Sequence, residues 1–341
     1  MSILRIQGCI PTGIRVRGWI LFTAWRIHLS PLTRGGPVGR SPALERVPSS
    51  GRVAVIRLRS LGDCVLTTPA LDILHRARPD LEIAVVLEDR FAGVFEGNPA
   101  VSTLLAPEAA AVVKWRPSLC LNLHGGTRSM LFTAASLADI RAGFGHHVGA
   151  WIYNVPIPRA QEILGVDRTV HTAEHLASAM FYLGVPQEEI PRAQLFASPR
   201  PEGPLYAVIH ATAAAAYKTW RVDGFLSVAG HLQRNCALEP VFIGASSDDL
   251  TPFRDYRIVA GAPLSEVKSL LAGASLFVGN DSGPAHIAAA FGVPVVVLFG
   301  RPEHRVIWAP WRASASETLC SEDGIGAIEI GQVITAIDRL L

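Results

Sequence analysis

Phe277-Val278-Gly279-Asn280-Asp281-Ser282-Gly283-Pro284-Ala285-His286 passes from an apolar run, through a turn of small and polar residues, directly into a helical pattern ending near Phe291. A strand that feeds a helix this tightly is the unit of a parallel α/β sheet. The start of such a helix presents free backbone N–H groups and the positive end of its dipole, and glycine lets an anion come close. Pro284 suits a first helical turn, where its missing N–H costs nothing. Asp281 and Ser282 are equally good residues for an ordinary capped turn, so a phosphate cradle and a plain cap both stand at this point.

Outward from this stretch the same alternation recurs. Strands are expected at 207–210, 240–243, 276–279 and 295–299, with helices at 222–234, 264–272 and 286–291. A second series lies upstream: strands at 53–56, 83–87 and 119–123, and helices from Val65 to before Pro79, around 91–96, at 128–138 and at 173–183. Pro186, Pro191, Pro199, Pro201 and Pro204 mark a linker between the two series. The expected architecture is α/β with two Rossmann-like, doubly wound domains facing across a cleft, at 52–200 and 201–341, the last helix packing back on the first. Ligands bind outside the carboxyl ends of parallel strands, where Gly62-Asp63 and Asn280-Asp281-Ser282 sit, one per lobe.

Residues 1–51 read as a separate basic, Pro/Gly-rich arm. Eight arginines and one acid, Glu45, fall in the first 52 residues, whereas 23 basic and 28 acidic residues follow. The body therefore lacks the basic excess that nucleic-acid binding requires. The run Trp19-Ile20-Leu21-Phe22-Thr23-Ala24-Trp25 is far shorter than the roughly twenty residues needed to span a bilayer. Between Arg17 and Arg26 it reads either as a segment lying on an anionic membrane surface or as a disordered leader. Cys9, Cys64, Cys120, Cys236 and Cys320 are scattered without paired spacing, which suits a reducing, cytoplasmic setting.

Lys218 can offer an ammonium to a diphosphate and Thr212 a hydroxyl, both close after the strand at 207–210. Asp63, at a strand-to-helix junction, reads either as an N-cap or as a carboxylate able to take a proton from a substrate hydroxyl. Arg57 and Arg59 on the same loop are suited to an anionic acceptor. His171-Thr172-Ala173-Glu174-His175 matches an H-x-x-E-H metal pattern, with a zinc hydrolase as the competing activity. Gly143-Phe144-Gly145 with Gly149 has the wrong spacing for a dinucleotide fingerprint and reads as a turn.

Taken in order, Arg57-Leu58-Arg59-Ser60-Leu61-Gly62-Asp63 with Thr67-Thr68-Pro69-Ala70-Leu71, His210…Lys218-Thr219-Trp220…Phe225, and Gly279 to His286 resemble the family nine glycosyltransferases, the ADP-heptose:lipopolysaccharide heptosyltransferases. The likeness runs from about residue 52 onward. It implies a GT-B fold and an inverting, metal-independent transfer from an ADP-sugar to a cell-envelope glycan or glycolipid, at the cytoplasmic face of the inner membrane. By the resemblance Asp63 is the general base, and Thr212, Lys218, Ser282, Gly283 and Pro284 contact the donor diphosphate. Asp281, His286 and Asp248 hold the donor sugar and nucleotide, and Arg57, Arg59 and Arg128 face the acceptor. No cofactor is implied. The sequence departs from the family at Ala213-Ala214-Ala215-Ala216, where relatives carry polar residues or glycine, and at Asn122, where an acid is common. Such departures leave a non-catalytic GT-B binding protein as an alternative.

Overall fold

Strand β1 (Arg52–Ile56) shows why the chain folds as it does: Val53 and Val55 enter one apolar cluster while Ala54 and Ile56 enter another, on the opposite face. A strand apolar on both faces must be covered on both, which is what helices do to a parallel sheet. The computed structural model describes residues 39–147, 149–198 and 203–341. The arm through residue 38, with its tryptophans and the expected membrane contact or disorder, lies outside the described residues.

The first sheet contains β1, β2 (Glu82–Val86), β3 (Thr103–Leu105), β4 (Leu119–Asn122), β5 (Ile140–Phe144) and β6 (Val155–Ile157), in the order β3-β2-β1-β4-β5-β6. Its helices are α1 (Leu61–Ala77), α2 (Ala109–Trp115), α3 (Thr127–Ala135), α4 (Ala160–Leu164) and α5 (Thr172–Leu183). The second sheet contains β7 (Tyr206–His210), β8 (Glu239–Gly244), β9 (Arg257–Ala260), β10 (Leu276–Asn280), β11 (Val295–Phe299) and β12 (Ser316–Cys320), in the order β12-β11-β10-β7-β8-β9. With it run α6 (Val222–Asn235), α7 (Leu264–Ala272), α8 (Gly283–Ala290), α9 (Pro302–Ile307) and α10 (Ile330–Leu340). All ladders are parallel. Both sheets are therefore doubly wound, and in each the strand order reverses beside the first strand, at β1/β4 and at β7/β10. Those two reversal points open the crevices where ligands bind in such sheets.

Between the sheets lies one continuous apolar cluster. It takes Val53 and Val55 of β1, Leu66 and Leu71 of α1, and Leu176 and Met180 of α5 from the first lobe; from the second it takes Val208 of β7, Phe277 of β10 and Ile287 of α8. The outer face of the second sheet has its own cluster, into which Val333, Ala336 and Ile337 of α10 pack beside Phe225 and Val228 of α6. The last helix thus covers its own lobe, against the expectation that it returns to the first, because its apolar face matches α6 and β12. Residues 39–51 also differ from a free arm. Ala43, Leu44 and Val47 are buried, and the Arg78 guanidinium donates to the carbonyls of Leu44 and Pro48 at 2.8 and 3.2 Å. The expected helix around 91–96 is a 3-10 helix over Asp89–Val94. Among the described residues no helix is long and apolar enough to cross a membrane.

Candidate active site

α1 and α8 meet at their first turns, one from each lobe. A Cβ on Gly62 would lie 2.7 Å from Cδ2 of His286, and one on Gly283 would lie 2.6 Å from Cδ2 of Leu61. Glycine at both places lets the two helix starts approach this closely. α1 begins at Leu61, ahead of Val65 where its apolar pattern sets in, so Asp63 stands inside the first turn. Its Oδ2 accepts from Ser60 Oγ at 3.2 Å and lies 3.8 Å from Arg57 Nη1. Arg57 is itself almost fully buried and leaves Nε without a hydrogen bond. A guanidinium held beside the carboxylate, with an unspent donor, suits an anionic group arriving at this wall of the cleft.

Across from it, Asp281 is buried and its Oδ2 accepts from Lys218 Nζ at 2.6 Å. Asn280 fastens the neighbouring loop: its Oδ1 accepts from Trp220 N, and its Nδ2 donates to the Ala211 carbonyl. Thr212 Oγ1 donates to Asp248 Oδ2 at 2.7 Å, so the phosphate candidate and the ribose candidate form one unit. His210, at the end of β7, holds two hydroxyls at once, Ser282 Oγ at 2.9 Å and Thr212 Oγ1 at 3.3 Å. Burial depresses its pKa to about 4, partly offset by Asp248, so the ring is neutral at pH 7 and donates from one nitrogen only. Pro284 lies in the first turn of α8, which has Ser282 at its N-cap.

His286 links the two walls. Burial lowers its pKa, Asp281 and Asp63 both raise it, and Lys218 lowers it; the ring thus senses charges from both lobes. Its Nδ1 is buried without a hydrogen bond, as is Nδ1 of His304. Both rings lie within the field of Asp281, which raises the pKa of each against the effect of burial.

Known proteins are similar to this chain in sequence and in fold. Residues 118–324 match the model of glycosyltransferase family 9 (heptosyltransferase). The chain belongs to glycosyltransferase family 9. It is 26% identical over 291 residues to lipopolysaccharide heptosyltransferase 3 of Escherichia coli K12, covering 74% of this chain and 83% of that one. A family 9 glycosyltransferase from Veillonella parvula superposes with a TM-score of 0.75 at 21% identity, over 88% of this chain and 99% of that chain. The E. coli heptosyltransferase WaaC with ADP gives 0.69 at 16% identity, over 85% of this chain and all of that one. The fold is GT-B and the protein is a glycosyltransferase.

In this family 9 enzyme the remaining candidates divide. Arg59 is exposed on the β1–α1 loop, and its charge helps to lower the His124 pKa. Arg128 is exposed, donates to the Pro107 carbonyl at 3.0 Å and lies 3.7 Å from Glu88. Asn122 braces the loop that follows β4, where its amide donates to Ser129 and Tyr153 and its oxygen accepts from the His124 and Gly125 N–H groups. The zinc pattern dissolves. His171 caps α5 by accepting from Ala173 N and contacts the Ala309 carbonyl through Nε2; Glu174 pairs with Arg168; His175 stacks on Phe144 at 3.9 Å. Gly143 is inside β5 and not in a turn, its bare Cα accommodating the Tyr153 ring.

Two sets of groups carry no motif in the sequence. His304, Trp308 and Tyr217 surround the Lys218–Asp281 pair, with His304 Nδ1 3.7 Å from Asp281 and Trp308 5.5 Å from Lys218 Nζ. His124 and His147 lie within the field of Arg57, and burial with that charge pushes both down to about 4. The one available signal for His304 is its place just beyond β11, which neighbours β10; parallel strands release their loops on the same side.

Proposed function

We propose that this glycosyltransferase moves a heptose, or a related sugar, from an ADP-sugar to a hydroxyl of a lipopolysaccharide core or other cell-envelope glycan. It does so with inversion, without a metal, and at the cytoplasmic face of the inner membrane. The observation that carries the reading is the meeting of α1 and α8, which sets a carboxylate from one lobe opposite an anion-ready helix start from the other. The names of the relatives, lipopolysaccharide heptosyltransferases and a neighbour holding ADP, support the donor and acceptor classes.

Asp63 accepts the acceptor hydroxyl's proton as that oxygen attacks the anomeric carbon. The bond from that carbon to the diphosphate oxygen breaks on the opposite face, and ADP leaves. Its growing negative charge is met by Lys218, turned from Asp281 toward the bound donor, by the Thr212 and Ser282 hydroxyls and by the first turn of α8. These groups supply the positive potential that a divalent ion gives elsewhere, and the sequence holds no Asp-X-Asp to bind one. Asp281 and His286 face the sugar, Asp248 the ribose, and Arg57, Arg59 and Arg128 the anionic acceptor.

Asp63→Asn tests the assignment. Transfer from an ADP-sugar, followed by ADP release, should fall at least about 1000-fold, while ADP affinity measured by calorimetry stays within about threefold, since the base touches the acceptor and not the nucleotide. Equal loss of both would remove Asp63 as the base.

A further inference from the structure

Lys218 cannot serve a diphosphate and Asp281 equally. Its Nζ is 2.6 Å from Asp281 Oδ2, and the Asp281 side chain is only 6% exposed. Once the ammonium turns toward an incoming diphosphate, the carboxylate loses its close countercharge in a place that water scarcely reaches, which is costly. One other basic group lies within ion-pair distance of it among the described residues: Nδ1 of His304, at 3.7 Å, buried and without a hydrogen bond. Its ring is fixed edge-on to Trp308 at 4.9 Å and packs at 6.1 Å from Tyr217.

We propose that His304 is the positioning residue that takes over Asp281 when the donor takes Lys218, and that it does so by picking up a proton, so that donor binding is proton-coupled. The inference rests on the donor-site reading above and deepens it. In the free protein burial and the Lys218 charge hold the His304 pKa down, while Asp281 and Glu303 raise it and Arg301 lowers it. Of the other elements, α9 rests on β11, which is wholly apolar, and on β12, where Cys320 feels Arg305 and Glu303 and where Glu317 pairs with Arg339 at 3.8 Å. An arriving diphosphate brings negative charge and cancels Lys218, so the balance at His304 reverses and its proton affinity rises. Donor affinity is then greatest at low pH and declines as pH rises through the bound-state pKa, by at most about tenfold per pH unit for one proton. His304 touches no reacting atom. It keeps Asp281 in place for the sugar while Lys218 is away.

The test is calorimetry of the full chain with ADP-glucose, a diphosphate diester with no group of its own titrating near neutrality, at about pH 7 in two buffers of different ionisation enthalpy. Wild type should take up a substantial fraction of one proton per donor bound. His304→Gln, which can still donate a hydrogen bond to Asp281, should bind with less than about tenfold loss and no uptake, and its donor KM should lose its pH dependence while kcat keeps its own. Buffer-independent enthalpy in wild type, or undiminished uptake in His304→Gln, overturns the proposal. Failure of both ADP-glucose and ADP to bind wild type would remove the donor-site reading itself, and the proposal with it.

Discussion

Gly62→Ala is the sharpest probe of the architecture, because it adds one methyl group at the point where the lobes touch. The new Cβ would sit 2.7 Å from His286 Cδ2 and 3.2 Å from Nε2. Carbon atoms rest at about 3.5–4.0 Å, so either α1 and α8 separate by roughly 1 Å or the buried His286 ring is pushed out of place. Overpacking of this kind costs about 1–3 kcal/mol, against which alanine regains up to about 1 kcal/mol of helix propensity. With the full regain the net expectation is a loss of up to about 2 kcal/mol, read from urea unfolding. Activity should fall further than stability, because a 1 Å misplacement of reacting groups costs about 100-fold. Gly331→Ala in α10, where a Cβ meets nothing within 4 Å, is the control and should be neutral or stabilising. His286→Ala should cost less stability in the Gly62→Ala background than in wild type, the coupling expected of groups in contact. A Gly62→Ala protein with wild-type stability and turnover would refute the contact between the helix starts and everything built on it.

Lys218→Ala should weaken ADP binding by about 1–3 kcal/mol, measured by calorimetry, since a charge-assisted contact is lost; unchanged affinity would take the diphosphate away from this loop. Leu44→Ala should cost about 2–4 kcal/mol in urea unfolding, because Leu44 is 5% exposed in the apolar cluster it shares with α1 and α5. An innocuous change would mean that residues 39–51 merely lie on the surface. Stability should fall as pH drops from about 6.5 toward 4. His171 and His210 have folded pKa values near 4, and His175 near 3, below the unfolded value of about 6.5, so the unfolded chain binds more protons in that window. His171→Asn, which retains a helix cap, should flatten this acid limb.

The central strands were legible because each is apolar on both faces, as β1, β10 and β11 are, and nothing but a buried parallel strand explains such a run. The outer strands were not. β9 and β12 are largely half-exposed and carry Arg257 and Glu317, so their pattern dissolves into that of a loop. Asp63, Lys218 and the helix start at Ser282 could be singled out as candidates because each follows the carboxyl end of a strand in a parallel sheet. His304 could not be joined to Asp281 from sequence, since the pairing depends on β11 lying beside β10 in the sheet. The histidines near Arg57 come from separate parts of the chain, and only the folded protein assembles them.

The apolar cluster that runs unbroken from the first sheet to the second has a consequence for anyone hoping to dissect the enzyme. Either half produced alone would present to water part of the cluster that now joins the two, with Leu61 bared on one piece and Leu264 on the other. Such fragments should precipitate or seek each other out, and co-expressing them as separate polypeptides is the simpler route to a split yet working transferase.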